Sequence, residues 1–297
     1  MANWNSHNIP DQIGKVIIVT GASSGLGKEI TEVLAGKNAT VVMAVRNIEK
    51  AQTVADEIRQ KIPTASLDIQ KLKLDSLDSI KEFASSFLKK YDHLDILINN
   101  AGVMACPFSL TEDGFEIQMG VNHLGHFALT GLLLPLLQKT LNSRIVATSS
   151  IAHRRGNINF EDINWKERKY STMKAYSDSK LANLYFAYEL ARKLEAMGNC
   201  PMVIAAHPGV TSTEISRNSF IFRTLIPLLA QKVDKGALPT LMAAFDASAK
   251  PADYYGPDGF MELRGNPVLV KSTPLSYNVD KAGQLWEQSQ KLTGISY

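Results

Sequence analysis

The sequence predicts an α/β fold, a single doubly wound domain in which a parallel sheet is covered by helices on both faces. Three observations lead to this prediction. Short β-branched runs alternate with longer segments of helical spacing along residues 13–206, and such an order forms a parallel sheet through right-handed crossovers. The first run ends in a glycine-rich turn that leads into a helix, as in Rossmann folds. No linker rich in Pro, Gly or Ser and no internal repeat interrupts the chain.

The predicted elements follow one another in a regular strand–helix order. A β-branched run bounded by glycines indicates a strand buried on both faces, and apolar residues at three- and four-residue spacing indicate a helix. On this basis the strands cover residues 13–20, 40–45, 67–74, 94–98, 144–148 and 201–206. The helices cover residues 25–36, 47–61, 77–90, 111–137 and 175–197. We therefore expect one Rossmann-type domain over residues 1–297, with residues 1–13 as an N-terminal extension.

Composition excludes several classes of protein. Hydrophobic residues make up 45% and charged residues 21% of the chain, as in ordinary globular domains. A net charge of +3 without a basic stripe gives no support to nucleic-acid binding. Two cysteines are too few for a disulfide framework. We find no run of about 18 apolar residues and no N-terminal signal, and expect a cytoplasmic protein without a membrane partner.

The turn after the first predicted strand has the pattern of a dinucleotide-binding loop. It reads Thr20-Gly21-Ala22-Ser23-Ser24-Gly25-Leu26-Gly27 and opens the first helix. Glycines allow a sharp turn and let a pyrophosphate approach the N–H groups at a helix N-terminus. A surface turn is the alternative, but the flanking strand and helix favour phosphate binding. The predicted cofactor contacts here are Gly21, Ser23, Ser24, Gly25, Leu26 and Gly27.

Arg46, at the end of the second strand, predicts which dinucleotide binds. It lies 19 residues after Gly27, near the position about 20 residues on where an NAD enzyme carries an acid. A guanidinium instead pairs with phosphate through a fork of donors, so the sequence favours NADP(H). The alternative is an exposed arginine that only ends the strand. Further cofactor contacts are predicted after the third and fourth strands, from Leu74, Asp75, Asn100, Ala101 and Gly102.

Tyr176 and Lys180 form the candidate reactive pair. They are four residues apart on a predicted helix, and therefore share one face. A free tyrosine has a pKa of about 10, and a nearby ammonium favours the phenolate and lowers that value. Ser150 follows the fifth strand, at the edge of the sheet where ligands bind, and can donate to a substrate carbonyl. Ser149 is the rival for this role.

These motifs resemble the short-chain dehydrogenase/reductase family. The resemblance is carried by Thr20-Gly21-x-x-x-Gly25-x-Gly27, Asn99-Asn100-Ala101-Gly102, Asn122, Ser150, Tyr176-x-x-x-Lys180 and His207-Pro208-Gly209. The motifs occur in the family's order, over residues 14–213. Within the family the chain is most similar to the retinol dehydrogenase and WW-domain-oxidoreductase-like branch, through residues 121–127, 175–183 and 207–210.

The resemblance implies a role for each residue of the reactive cluster. Tyr176 would be the general acid/base, and Lys180 would hold the ribose hydroxyls while lowering the tyrosine pKa. Ser150 would orient the substrate carbonyl. Asn122 would anchor a water that passes protons to Lys180.

The resemblance also implies a cover over the nicotinamide, formed by Pro208, Gly209, Val210 and Thr213. The Val210 backbone would bond the carboxamide. Residues 211–235 would be a substrate lid, and the apolar side chains within 215–229 suggest a lipophilic substrate. Plain helix packing is the alternative for that segment.

Two features depart from the common family pattern. Ser150 and Tyr176 are 26 residues apart, a wider spacing than most members have. Residues 151–174 therefore form an insert, which the retinol-dehydrogenase-like branch shares. The N-terminal membrane anchor of many animal members is not seen in the sequence, so we do not expect a role in membrane-derived retinoid metabolism.

The sequence therefore predicts an NADP(H)-dependent alcohol dehydrogenase or carbonyl reductase that acts on a small molecule. One alternative is a nucleotide-sugar epimerase, whose loop spaces its glycines differently. Others are an NADP(H)-binding sensor without turnover and a light-dependent protochlorophyllide-reductase-like enzyme. His123 and His126 lack a third ligand at metal spacing, so no metal site is predicted. Homo-oligomerisation is left open.

Overall fold

The computed structural model describes residues 4–196, 201–211 and 230–297. Its strands are β1 Val16–Thr20, β2 Thr40–Val45, β3 Ser66–Lys71, β4 Ile96–Asn99, β5 Arg144–Thr148, β6 Met202–Ala206, β7 Tyr254–Pro257 and β8 Pro267–Leu269. Its helices are α1 Gly25–Ala35, α2 Ile48–Lys61, α3 Leu77–Lys90, α4 Ile117–Lys139, α5 Thr172–Ala196, α6 Val233–Phe245 and α7 Val279–Thr293. A π-helical turn lies within α4 at Gly120–Leu124.

These strands form an eight-stranded sheet in the order β3-β2-β1-β4-β5-β6-β7-β8. β1 pairs in parallel with both β2 and β4. The chain therefore leaves β1 toward one edge of the sheet and returns to its other side at β4. This reversal opens a crevice at the carboxyl ends of β1 and β4, the place where doubly wound sheets bind their ligands.

The sheet is parallel except at one edge. β8 pairs with β7 in antiparallel orientation, with Tyr255 opposite Leu269. Beyond residue 206 no strand or helix is predicted, yet α6, β7, β8 and α7 all lie there. β7 and β8 have four and three residues, too few to show a hydrophobic period.

Other boundaries shift for local reasons. β1 starts at Val16 rather than residue 13, because Gly14 takes a left-handed φ of 77° and Ile13 is 76% exposed. α4 starts at Ile117 rather than residue 111, since Leu110 and Glu116 pair in an antiparallel bridge.

Apolar side chains alternate between the two faces of the sheet and build a core on each. Ile18 and Leu97 belong to the core beneath α3, α4 and α5. Ile17 and Ile98 belong to the core beneath α1, α2 and α6. All four side chains are fully buried, as expected for parallel strands between two helical layers. The predicted Rossmann-type α/β architecture is confirmed.

Among the described residues, α4 is long and apolar enough to cross a membrane by length and composition. Its most apolar 18-residue window has a mean hydropathy of 1.2, and 83% of that window is buried inside the protein. The core helix of a globular protein shows the same combination.

α7 packs across α4 and α5 through an aromatic cluster centred on Phe127. The Phe127 ring centroid lies 5.2 Å from that of Trp286, 5.8 Å from that of Phe186 and 4.8 Å from that of Tyr297. The Tyr297 hydroxyl also donates to the Phe127 carbonyl at 2.6 Å. Rings at these distances attract one another beyond simple area burial, so the cluster fastens the C-terminal residues to the core.

Phe127→Ala should therefore lower the free energy of unfolding by about 3–5 kcal/mol, because it leaves a cavity among the rings of Phe186, Trp286 and Tyr297. Urea unfolding followed by circular dichroism measures this. Leu141→Ala is the control: Leu141 is 83% exposed, and its truncation should change stability by less than about 0.5 kcal/mol. Equal losses in the two variants would show that the cluster is not a centre of stability.

Candidate active site

A cavity of about 1270 Å³ opens where the parallel strands end. The segments after β1, β2, β4, β5 and β6 line it, together with the first turns of α5. Thr213 and residues 212–229 of the predicted lid lie outside the described residues. Of the described residues predicted to bind cofactor or substrate, all except Asn122 line the cavity: Gly21, Ser23, Ser24, Gly25, Leu26, Gly27, Arg46, Leu74, Asp75, Asn100, Ala101, Gly102, Ser150, Tyr176, Lys180, Pro208, Gly209 and Val210.

The glycine-rich loop forms a cradle at the start of α1. Gly21 and Gly25 have φ values of 70° and 51°, a region that favours glycine. A Cβ atom at Gly27 would lie 2.2 Å from the Gly21 carbonyl oxygen, so no side chain fits there. Ser24 makes no side-chain cap to the helix. The backbone thus presents a helix N-terminus without a side chain across it, which fits a pyrophosphate.

The hydroxyl of Thr20 joins this loop to the end of β4. Its Oγ1 accepts hydrogen bonds from the backbone N–H groups of Asn100 and Ala101, both at 2.9 Å. The Asn100 side chain donates in return to the Thr20 carbonyl at 2.9 Å. Asn100 therefore ties the two strands on either side of the crevice.

A basic corner lies after β2. Arg46 is exposed and lines the cavity beside Asn47 and Lys50. Asn47 caps α2, with Oδ1 accepting from the Lys50 N–H at 2.8 Å. Asn47 and Lys50 are absent from the sequence prediction, although an asparagine just before a helical segment is a detectable cap signal. The cations Arg46 and Lys50, beside the N-terminus of α2, suit a phosphate monoester such as the 2′-phosphate of NADP(H).

Tyr176 and Lys180 meet Ser150 at the end of β5. A hydrogen bond joins the Ser150 and Tyr176 hydroxyls. The Lys180 Nζ lies 5.8 Å from the Tyr176 ring centroid and donates to the Thr148 carbonyl at 3.1 Å. Ser149 instead donates to the Lys180 carbonyl at 2.8 Å. The geometry thus favours Ser150 over Ser149 as the serine that faces a reacting group.

Burial shifts both titratable groups of this cluster. It lowers the pKa of Lys180 to about 8 and raises the pKa of Tyr176, against a smaller lowering by the Ser150 hydrogen bond. The sequence prediction that the ammonium lowers the Tyr176 pKa is therefore wrong for the protein alone, since desolvation of the phenolate is the larger effect. A protonated Tyr176 at neutral pH is suited to donate a proton.

Asn122 does not line the cavity, and its predicted role as the anchor of a relay water stays a prediction. Its Nδ2 donates to the Val103 carbonyl and to Ser179 Oγ, each at 2.9 Å. Its Oδ1 accepts from the Val103 N–H at 2.8 Å and keeps a second lone pair. A Cβ atom on Gly102 would lie 3.1 Å from Asn122 Oδ1 and 3.4 Å from Lys180 Nζ, so the side chain lies beside the reactive cluster. Asn122 also holds α5 beside the segment that follows Gly102.

The π-helical turn of α4 contains Asn122, whose carbonyl is bonded by a buried histidine. His126 Nδ1 donates to that carbonyl at 3.0 Å, so its Nε2 is an acceptor, and it lies 3.0 Å from Thr20 Oγ1. Burial lowers the pKa of His126 to about 4. This neutral imidazole connects the phosphate loop to α4.

His123 packs elsewhere, against α7. Its Nε2 lies 2.8 Å from Ser289 Oγ. Burial lowers its pKa to about 3. No group of three or more His, Cys, Asp or Glu side chains with metal-binding geometry occurs in the described part of the chain.

The insert of residues 151–174 is held against the reactive cluster by buried groups. The Asp178 carboxylate accepts from the Asn157 N–H and from Lys174 Nζ, both at 2.8 Å. His153 Nδ1 donates to the Ser150 carbonyl at 2.6 Å. Neither Asp178 nor His153 is among the site residues that the sequence predicts. Through them the long insert supports the Ser150–Tyr176 geometry.

A second carboxylate fixes the far end of the insert. Glu116 is fully buried at the start of α4 and accepts from the Tyr170 hydroxyl at 2.7 Å. Its backbone N–H donates to Asn164 Oδ1 at 3.0 Å. Burial raises its pKa, opposed by the hydrogen bonds it accepts.

The turn predicted to cover the nicotinamide lies at the cavity, but Val210 is already bonded. Its N–H donates to the Leu263 carbonyl at 2.7 Å, and its carbonyl accepts from the Gln231 N–H at 2.9 Å. The predicted carboxamide contact through this backbone is therefore not open in the structure. Val233 starts α6 within the predicted lid of residues 211–235, and the lid stays a prediction.

The cavity lining also includes apolar residues from loops and helices. They share no sequence pattern, and the sequence prediction missed them: Met104, Phe108, Val121, Met173, Met261 and Leu263.

Comparisons with known proteins agree with this geometry. A family described as short chain dehydrogenase matches residues 15–222. Human retinol dehydrogenase 11 is 47% identical over 289 residues, covering 95% of this chain and 86% of that protein. An uncharacterized protein from Mycobacterium paratuberculosis superposes with a TM-score of 0.85 at 38% identity, over 100% of this chain and 99% of that one. A protein described as a short chain dehydrogenase from Shigella flexneri, solved with NADP, has a TM-score of 0.66 at 26% identity, with 82% and 97% covered.

The lowered pKa of Lys180 has a consequence for stability. In the folded protein its pKa is about 8, whereas in the unfolded chain it is about 10.4. The unfolded state therefore binds more protons between these values, and stability should rise with pH across that window. Relative to Lys180→Met, the wild type should gain on the order of 2 kcal/mol between pH 7 and pH 9.5.

Urea unfolding of both proteins at the two pH values measures this, and the difference between them cancels the titration of other groups. A constant difference would mean that the ammonium is solvated in the folded protein.

Proposed function

Because this chain belongs to the short-chain dehydrogenase family, we propose that it is an NADP(H)-dependent oxidoreductase that interconverts a lipophilic carbonyl compound and its alcohol. The observation that carries the proposal is the hydrogen-bonded pair of Ser150 and Tyr176 beside the buried Lys180. This cluster lies in the same cavity as the glycine cradle and Arg46. A proton donor and a dinucleotide site therefore share one space.

The glycine cradle, the basic corner and Lys180 would hold the dinucleotide. Its nicotinamide supplies or accepts the hydride when bound. The protein's own task is then to orient the carbonyl and to move a proton at the carbonyl oxygen. Burial favours both tasks, since charges and dipoles interact more strongly away from water.

Ser150 and Tyr176 would bind the carbonyl oxygen from two sides. The Ser150 hydroxyl donates to it as negative charge develops, and Tyr176 transfers its proton in the direction of reduction. The raised pKa of Tyr176 keeps this proton available at neutral pH. Lys180, with its pKa near 8, is mostly an ammonium at pH 7 and stabilises the phenolate that is left.

The preference for NADP(H) rests on the basic corner. Arg46 lines the cavity at the start of α2, where a carboxylate would repel a 2′-phosphate. Lys50 adds a second cation, and one solved relative of the same family was crystallised with NADP.

A lipophilic substrate is supported by apolar side chains in the cavity that Tyr176 lines. Met104, Phe108, Val121 and Met173 are among them. Methionine side chains adapt to irregular apolar ligands. Similar proteins are named as retinol dehydrogenases, and retinol is itself an apolar alcohol. The sequence-based expectation of a cytoplasmic location stays a prediction.

Tyr176→Phe should reduce turnover of an aldehyde by about two to four orders of magnitude, because it removes the proton donor and keeps the ring. NADPH affinity, measured by fluorescence titration, should stay within a few-fold. Tyr185→Phe is the matched control on the same helix, since the Tyr185 hydroxyl is buried and has no hydrogen-bond partner among the described residues. Near-normal turnover by Tyr176→Phe, on a substrate limited by chemistry, would refute the assignment.

Arg46 variants test the cofactor preference. A charge-assisted pair with a phosphate contributes about 1.5–3 kcal/mol, or roughly ten- to hundred-fold in affinity, with the lower end expected at an exposed site. Arg46→Ala should weaken NADPH binding by about tenfold and leave NADH binding unchanged. Arg46→Asp should in addition reverse the preference toward NADH.

Binding titrations of both cofactors to the wild type and the two variants provide the measurement. Equal affinity of the wild type for NADH and NADPH would show that Arg46 is only a surface charge.

A further inference from the structure

The loop between β7 and β8, residues 258–265, is strained at its tip. Met261 and Glu262 are consecutive non-glycine residues with φ values of 51° and 58°. Each residue in this region costs about 1–3 kcal/mol and persists only where surrounding contacts enforce it. The contacts that enforce this conformation therefore indicate the role of the loop.

One side chain of the loop collects those contacts. Glu262 accepts from Arg154 Nη2 through Oε1 at 2.6 Å and from His207 Nε2 through Oε2 at 2.9 Å. Arg154 belongs to the insert, and His207 directly precedes the turn at Pro208. A single carboxylate thus joins three segments that are far apart in sequence.

We call the bonds of Glu262 to Arg154 and His207 the latch. The hydrogen bonds of these three side chains define their protonation states. The Gly209 N–H donates to His207 Nδ1 at 3.2 Å, so Nε2 carries the proton that is donated to Glu262. Burial lowers the pKa of His207. The contacts with His207 and Arg154 lower the pKa of Glu262 in spite of its partial burial. Glu262 is a carboxylate that faces a neutral imidazole and a guanidinium.

Backbone bonds carry the same connection into the cavity. The Val210 N–H donates to the Leu263 carbonyl at 2.7 Å. Gln231 bridges the loop to the same turn: its Nε2 donates to the Pro208 carbonyl at 2.8 Å and its Oε1 accepts from the Gly265 N–H at 3.1 Å.

The residues on either side of Glu262 line the cavity, which Glu262 itself does not. Met261 and Leu263 both line the cavity, next to the turn at Pro208 and to Arg154. Met261 is 62% exposed, so it stands at the rim, whereas Leu263 lies deeper. The loop therefore forms an apolar wall at the mouth of the cavity. The bonds of Glu262 to Arg154 and His207 fix the position of this wall.

We propose that Glu262 is a positioning residue that locks the loop of residues 258–265 as a wall of the substrate pocket, on which Met261 and Leu263 contact the apolar part of the substrate. This inference rests on the proposed function for its substrate. The latch itself is a property of the protein alone.

Glu262→Gln tests the latch, because the amide keeps the size and offers a single acceptor oxygen to two donors. Hydrogen exchange in the peptide that covers residues 254–269 should become about tenfold faster, the lower end of what losing a charge-assisted bond brings. Glu287→Gln is the control: Glu287 is exposed on α7, and its exchange should match the wild type. Unchanged exchange in Glu262→Gln overturns the latch. If that variant does not fold, Arg154→Gln removes one of the two donors and should give a smaller increase in the same peptide.

Steady-state kinetics with decanal and butanal test the wall. In Glu262→Gln the KM for decanal should rise about tenfold, because the long chain loses its contacts with a displaced wall. The KM for butanal, kcat and the NADPH Kd should stay within about twofold of wild type. Faster exchange with an unchanged KM for decanal overturns the wall as a substrate contact. A wild type that reduces neither aldehyde refutes the proposed function, while the exchange experiment still decides the latch.

Discussion

The hydroxyl of Thr20 is the point on which the site depends. It is fully buried at the end of the central strand and accepts two backbone N–H groups from the end of β4. Because His126 uses Nδ1 as a donor, its Nε2 receives the proton of this hydroxyl. The phosphate loop, the far side of the crevice and α4 are thus joined at one oxygen atom, and buried donors without such a partner would each cost about 1–3 kcal/mol.

From this point the hydrogen bonds continue to the reactive cluster. The His126 imidazole holds the Asn122 carbonyl, and the Asn122 amide holds Ser179, next to Lys180 on α5. Cofactor cradle and proton donor are therefore placed by one connected network, in which the partners are satisfied and the rotamers defined. In the low-dielectric interior such a network is worth more than its separate bonds, which explains how the geometry of Ser150 and Tyr176 tolerates an insert of unusual length.

What the sequence predicts well is local. The glycine loop, Arg46 and the Tyr176–Lys180 spacing each depend on a few neighbouring residues and on the strand or helix that carries them, and the periodicity of residues 13–206 is strong. The misses depend on contacts over long distances. Whether Asn122 faces the cavity depends on Val103 and Ser179, and the direction of the Tyr176 pKa depends on how fully other segments bury it. The short strand β7 pairs with the edge of β6, and β8 in turn pairs with β7.

Gly256 in β7 shows how such long-distance contacts constrain later change. A Cβ atom there would lie 2.1 Å from His207 Nε2, so the imidazole occupies the space that a side chain at position 256 would need. Any larger residue at 256 must be preceded by the loss of the histidine, and with it one of the two donors to Glu262. In evolutionary terms, positions 207, 256 and 262 form a single inherited unit: related chains should keep all three or exchange all three, and intermediates are disfavoured.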